Sequence, residues 1–214
     1  MTTLRTPSHL KPPQANPAFP EISLYQQGYQ AVAGVDEVGR GCLAGPVFAA
    51  AVILPKQLII PDVDDSKKLT PKKREALFPL ITAQALAWSV AAVGAEEIDQ
   101  INIHRASLKA MALAIAGLNA APDFILVDGR FPIPVDLPQQ PLIRGDSRSH
   151  VIGAASILAK VSRDRWMAEQ ATRYPGFFFE RHKGYATSLH VKAIHQLGLT
   201  PLHRRTFSVP KNAS

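Results

Sequence analysis

Short apolar runs that stop at a carboxylate recur along this chain, and they limit what it can fold into. Residues 31–35 end at Asp36-Glu37, residues 124–127 end at Asp128, and residues 141–143 lead into Arg144-Gly145-Asp146. Runs this short, bounded by glycines and acids, read as buried strands rather than helices. Residues 46–54 (PVFAAAVIL) and 87–93 read as two more strands, making five. Helical signals lie between them. Thr70-Pro71 supplies an N-cap and a first-turn proline for a helix to about residue 85. A short acidic turn (Glu96, Glu97, Asp99) leads into a second helix over about 102–118. A long helix over about 148–173 puts Ala154, Ala155, Ile157, Leu158 and Val161 on a face suited to a sheet. A last helix over 187–197 stops at Gly198. Adjacent strands followed by helix–strand alternation predict a mixed α/β sheet with helices on both faces.

Composition narrows the class. At 214 residues with 46% hydrophobic content, the chain can build one large core. Its net charge of +7 favours an anionic partner such as a phosphate backbone. The single cysteine, Cys42, excludes an internal disulfide framework and a cysteine-built zinc site, and suits a reducing, cytoplasmic setting. Cys42 itself reads as a small buried apolar residue. The first residues are polar and proline-rich, without the apolar core of a signal peptide, and read as a flexible tail over 1–22. No run of eighteen apolar residues is present, so no membrane span is expected.

The acids at the strand ends carry the chemistry. Carboxylates brought together repel one another, and hard cations make the cluster tolerable. Mg²⁺ and Mn²⁺ suit such all-oxygen sites, and two such ions can clamp the attacking and leaving oxygens of a phosphodiester. The seven histidines are scattered and form no HExxH pattern. Taken singly, each acid reads more readily as just the start of a loop, and Asp146 stands where an N-cap for the long helix belongs. Neighbouring strand residues also point to opposite faces. Asp36 and Glu37 therefore meet one metal only if the strand is distorted, which the nearby glycines allow.

Six blocks in order then carry a resemblance: GVDEVGRGCLAGPVFAAAVIL (34–54), DSKKL (65–69), ILVDG (125–129), RGDSRSHVIGAASILAKVSRDR (144–165), HKGYAT (182–187) and HRRTF (203–207). Together they resemble the ribonuclease HII family from about residue 32 to 207. The resemblance implies a ribonuclease H-like mixed five-stranded sheet with flanking helices, a catalytic core over 23–173 and a C-terminal helical extension over 174–214. It implies Asp36, Glu37, Asp128 and Asp146 as metal ligands and catalytic acids, with Mn²⁺ or Mg²⁺ as cofactor. The implied substrates are RNA–DNA hybrids and DNA duplexes with a lone ribonucleotide, cut on its 5′ side to leave 5′-phosphate products.

For substrate contacts, Gly39-Arg40-Gly41 suits a backbone that approaches a sugar, and the resemblance implies that it meets the 2′-hydroxyl. Tyr185 resembles the family tyrosine that packs on the sugar after the ribose; from composition alone it is as well a half-buried core tyrosine. Lys67, Lys160, Arg163 and Lys183 are assigned to phosphates, against the alternative of solvated charges or surface ion pairs. Arg204 and Arg205 are expected to brace the C-terminal segment, and Asp62, Asp64, Asp99, Asp123, Asp136 and Asp164 to sit at the surface or in turns. A monomer is expected, and nothing in the sequence supports a sliding-clamp contact. Two rivals compete: a resolvase- or integrase-like metal nuclease on the same kind of fold, and a non-catalytic basic protein that binds structured RNA.

Overall fold

The computed structural model describes residues 19–63 and 69–210. Lys67, Asp64 and most of the expected tail lie outside these residues. Five strands form one sheet in the order β3-β2-β1-β4-β5. They are β1 (Val32–Val38), β2 (Val47–Ile53), β3 (Ala87–Val93), β4 (Phe124–Asp128) and β5 (Gln139–Leu142). The pairs β1–β2 and β2–β3 are antiparallel, while β1–β4 and β4–β5 are parallel. The sheet is therefore mixed, with the first three strands as a meander, β4 reached through two helices and β5 through the irregular segment 129–138.

Two apolar cores sandwich this sheet. Val32, Ala50, Val52, Phe124 and Leu126 face the long helix α5 (His150–Arg173), and α2 (Pro71–Gln84) packs on α5 behind them. Ala33, Val35, Ala49, Ala51, Ile125 and Val127 face α4 (Ile103–Ala116). The central strands are buried on both faces, which is why they read as continuous apolar runs. A third cluster joins Leu43, Ala44 and Met167 to Phe177, Phe179 and the helix α7 (Ser188–Leu197).

The structure corrects several sequence expectations. The last residues of the segment assigned to the tail (1–22) already begin a helix, α1 (Pro20–Gln26). Proline suits its first turn, and its buried Glu21 accepts from the backbone N–H groups of His150 and Val151 at 2.6 and 3.3 Å. The acidic turn is a helix, α3 (Ala95–Ile101), with Glu96 and Glu97 in the first turn, where a helix dipole favours them. Asn102, at φ 67°, separates it from α4 and caps α4 by accepting from the Arg105 N–H. A four-residue helix, α6 (Phe179–His182), was not anticipated. Finally, β1 does not stop at its charged pair but continues through Asp36 and Glu37 to Val38, paired with β2 throughout. Among the described residues no helix is long and apolar enough to cross a membrane.

Strand β1 and helix α5 approach each other backbone to backbone at Gly34. A Cβ built on Gly34 would sit 2.3 Å from the Val151 carbonyl carbon. Backbone cannot yield there as a side chain would. We expect Gly34→Ala to cost about 3 kcal/mol, read as a lower urea midpoint with an unchanged slope. A cost within the usual range for surface changes, about 0.5 kcal/mol, would contradict this contact.

Candidate active site

Parallel pairing of β1 with β4 sets the site. The last paired residues are Val35 and Val127, so Asp36 and Asp128 follow side by side. By alternation both belong to the α5 face. Asp36 is 5% exposed and accepts from the Glu37 N–H at 2.7 Å and from the Ser156 hydroxyl on α5. Asp128 Oδ1 accepts from the Gly145 N–H at 2.6 Å. Glu37 points the other way on a strand that shows no bulge, so the expected distortion is absent. The strand instead runs past the end of β4, and there no neighbour on that side separates the two faces. Ligand atoms of Asp36, Glu37 and Asp128 all lie within 4.8 Å of one another.

Asp146 does not join this trio. It is buried in the short 3-10 turn Gly145–Ser147, next to the amide that holds Asp128. It is not the cap of α5 either, because Ser149 fills that role by accepting from the Ile152 N–H.

The electrostatics oppose keeping these acids charged. Burial, then the charges of Glu37 and Asp128, push the Asp36 carboxyl well above its ordinary 3.8. Burial also raises Glu37, although Arg40, 3.1 Å from its Oε1, pulls it back. The other oxygen, Oε2, is buried with no hydrogen-bond partner among the described residues. Three clustered carboxylates with one orphaned buried oxygen form a hard donor set that fits a divalent cation such as Mg²⁺ or Mn²⁺.

A cleft of about 510 Å³ opens over the acids, lined also by Gly39, Arg40, Gly41, Arg74, Ser156, Lys160 and Tyr185. Gly39 adopts φ +95°, and a Cβ there would strike the Arg163 side chain at 2.2 Å. A Cβ on Gly41 would meet nothing within 4 Å, so its backbone is open to a ligand. Arg204 carries this loop. Its guanidinium donates to the carbonyls of Gly39 (2.6 Å), Arg40 (2.8 Å) and Gly45 (2.8 and 3.0 Å). The expected brace of the C-terminal segment thus supports the glycine loop instead.

Two expected phosphate contacts do not reach the cleft. Arg163 is fully buried and donates to the carbonyls of Pro46, Ala44 and Lys183 at 3.0, 3.1 and 2.8 Å. Each of its three nitrogens donates to backbone, and its burial keeps it from a phosphate in the cleft. Lys183 turns its Nζ to the Glu180 carbonyl at 2.6 Å and lines a neighbouring depression. Lys160 does line the cleft, paired with Asp164 at 2.8 Å and 5.7 Å from the Tyr185 ring centre. Tyr185 is 39% exposed, and its side chain hydrogen-bonds the buried Cys42 thiol.

Sequence reasoning missed Arg74, Ser156 and the reach of Arg204. Arg74 and Ser156 left a readable trace: each is a polar residue on an otherwise buried helical stripe, Arg74 with Leu77 and Ile81, Ser156 with Ile152, Ala155 and Ala159. Arg204 left none, since its partners lie about 160 residues away in sequence.

Removing one charge should relieve the cluster. A carboxyl raised above 3.8 in the folded state stabilises most below 3.8, and that contribution is lost as pH rises. His190 and His203, held down to about 4 by burial, act oppositely: their contribution is present above pH 6.5 and is lost as pH falls toward 4. Comparing Asp36→Asn with the parent isolates the acid. In chelator-treated protein at pH 7 this variant should melt roughly 3–5 °C higher, and a divalent cation should shrink the gap. A lower melting temperature without metal would refute the repulsion.

The family model for ribonuclease HII matches residues 33–209. The ribonuclease HII of Geobacillus kaustophilus is 54% identical over 188 residues, covering 88% of this chain and 72% of that one. The ribonuclease HII of Caldicellulosiruptor saccharolyticus is 52% identical over 188 residues, covering 87% and 91%. Among solved structures, the ribonuclease H2 from Pyrococcus horikoshii OT3 superposes with a TM-score of 0.72 at 28% identity, covering 84% of this chain and 94% of that one.

Proposed function

This chain belongs to the ribonuclease HII family, metal-dependent endonucleases that hydrolyse the RNA strand of RNA–DNA hybrids, and on that premise we propose a finer assignment for it. The enzyme also incises DNA duplexes on the 5′ side of a single embedded ribonucleotide, through two cations held by its carboxylates. The observation that carries this reading is the convergence of Asp36, Glu37 and Asp128 within 4.8 Å, beside an open glycine backbone. The family match also removes the footing of the resolvase-like and RNA-binding alternatives.

Asp36, Glu37 and Asp128 are the central ligands, and Asp146 is the fourth carboxylate assigned to the site. Bound there, divalent cations supply an activated water and neutralise charge on the departing 3′ oxygen. The protein's own groups do the rest. Ser156 and the Glu37 N–H hold Asp36, and the Gly145 N–H holds Asp128, so the donors stay aimed without substrate. The Gly39–Gly41 backbone, hung from Arg204, meets the 2′-hydroxyl, and Gly41 leaves room for it. Lys160 and Arg74 present cations along the cleft. Tyr185 packs on the sugar that follows the ribose and so favours an RNA-to-DNA junction.

The test is cleavage of a duplex carrying one ribonucleotide, with Mn²⁺ or Mg²⁺, with the cut site mapped. We expect a nick 5′ of the ribose and no cutting of the all-DNA duplex; equal cutting of both would overturn the assignment. Asp36→Asn and Asp128→Asn should each lower kcat by more than the roughly 100-fold typical of losing an outer-shell partner. Binding should be kept or tightened, because less negative charge faces the phosphates.

A further inference from the structure

Behind Tyr185 runs a chain of buried histidines that the hydrolysis does not use. The Thr200 N–H donates to Nδ1 of His203 at 2.9 Å. That nitrogen is therefore an acceptor, and the ring proton of neutral His203 sits on Nε2. Nε2 lies 3.1 Å from Nε2 of His190 and donates to it. His190 keeps its own proton on Nδ1, which donates to the Tyr185 carbonyl at 3.0 Å. The Thr187 N–H donates to the same carbonyl at 2.8 Å. One backbone amide thus sets the direction of every bond in the chain. Burial holds His190 and His203 at about 4, so the neutral rings that this pattern needs persist at neutral pH.

The backbone before Tyr185 needs such a hold. Lys183 and Gly184 both lie at positive φ, 54° and 86°, in a turn outside any helix or strand. The ring of Tyr185, by contrast, stands at the open cleft. His203 is also joined to the glycine loop, forming an isolated antiparallel bridge with Ala44, and its neighbour Arg204 carries that loop. One dipeptide of the C-terminal extension therefore reaches both segments assigned to the ribose and its 3′ neighbour.

We propose that His190 and His203 are positioning residues for Tyr185, fixing its height over the cleft and so the enzyme's preference for an RNA-to-DNA junction. This inference rests on the reading of Tyr185 given above. A tyrosine that reads a sugar by shape loses discrimination when it shifts by a fraction of its own contact distance.

The experiment compares kcat/KM for a single embedded ribonucleotide with kcat/KM for a long hybrid, as a ratio, in folded variants. His190→Leu removes both ring nitrogens and should lower the ratio about tenfold, as loss of a supporting partner does. His190→Asn places an amide N–H near the Nδ1 position and should restore most of it. His190→Gln places its amide near Nε2, cannot reach the carbonyl in the same way, and should fall with leucine. Equal ratios for all three variants would overturn the proposal. If Tyr185→Ala lowers the ratio but His190→Leu does not, the histidine chain has no positioning role. If Tyr185→Ala itself leaves the ratio unmoved, the reading of Tyr185 fails first and takes this inference with it. Nitrogen-15 spectra of the unaltered protein test the chain independently of any folding defect: His190 should carry its proton on Nδ1 and His203 on Nε2, and the opposite tautomers would refute it.

Discussion

Three carboxylates held within 4.8 Å of one another, mostly out of water, repel at every pH at which they are ionised. Arg40 offsets part of it at Glu37, and the Ser156 hydroxyl and the Glu37 N–H offset part of it at Asp36. The cluster survives because each acid sits on an element fixed by large apolar contacts. Asp36 and Asp128 ride on the two central parallel strands, and β1 is pressed against α5 at Gly34 with no room to yield. The sheet thus holds together groups that would separate if free, and it leaves a buried oxygen of Glu37 with no hydrogen-bond partner among the described residues. A cation-binding protein stores its affinity in this way: repulsion tolerated in the empty fold becomes attraction when a cation arrives.

A second constraint runs through two arginines whose guanidinium groups donate to backbone carbonyls. Arg163 and Arg204 are both nearly or wholly buried, and both spend their donors on backbone carbonyls of the segment after β1. A planar five-donor fork can hold an irregular loop that has few hydrogen bonds of its own. Burial and the neighbouring Arg163 charge lower Arg204 to about 10, which still leaves it protonated at neutral pH. The segment 39–45 is consequently held in place without being regular, and Gly41 within it stays open to a ligand. The histidine chain behind Tyr185 meets the backbone of the adjoining turn, with neutral rings in place of cations.

Much of the fold was legible in advance. The run 87–93 matches β3, and Thr70-Pro71 opens α2 with the cap and proline expected of them. The strand-end acids pointed to the right end of the sheet. The misreadings have physical causes. Glu96 and Glu97 resemble a polar turn, yet a helix dipole welcomes acids in its first turn. Arg163 resembles a surface cation because its charge is visible in sequence and its carbonyl partners are not. Asp36 and Glu37 seemed to need a bulge because alternation was applied to a strand whose neighbour β4 ends beside Asp36, before Glu37.

What the sequence determined by itself was local and periodic: where apolar runs stop, where caps and glycines fall, and which residue types could bind a hard cation. Those signals depend on neighbours within a turn or a strand, so they survive in one dimension. Tertiary structure alone decided which charges face the cleft and which are spent inside. Arg163 meets Pro46 across 117 residues and Arg204 meets Gly39 across 165. A hydrogen bond takes its direction from both partners, and chain order gives no sign that such distant carbonyls will converge on one guanidinium.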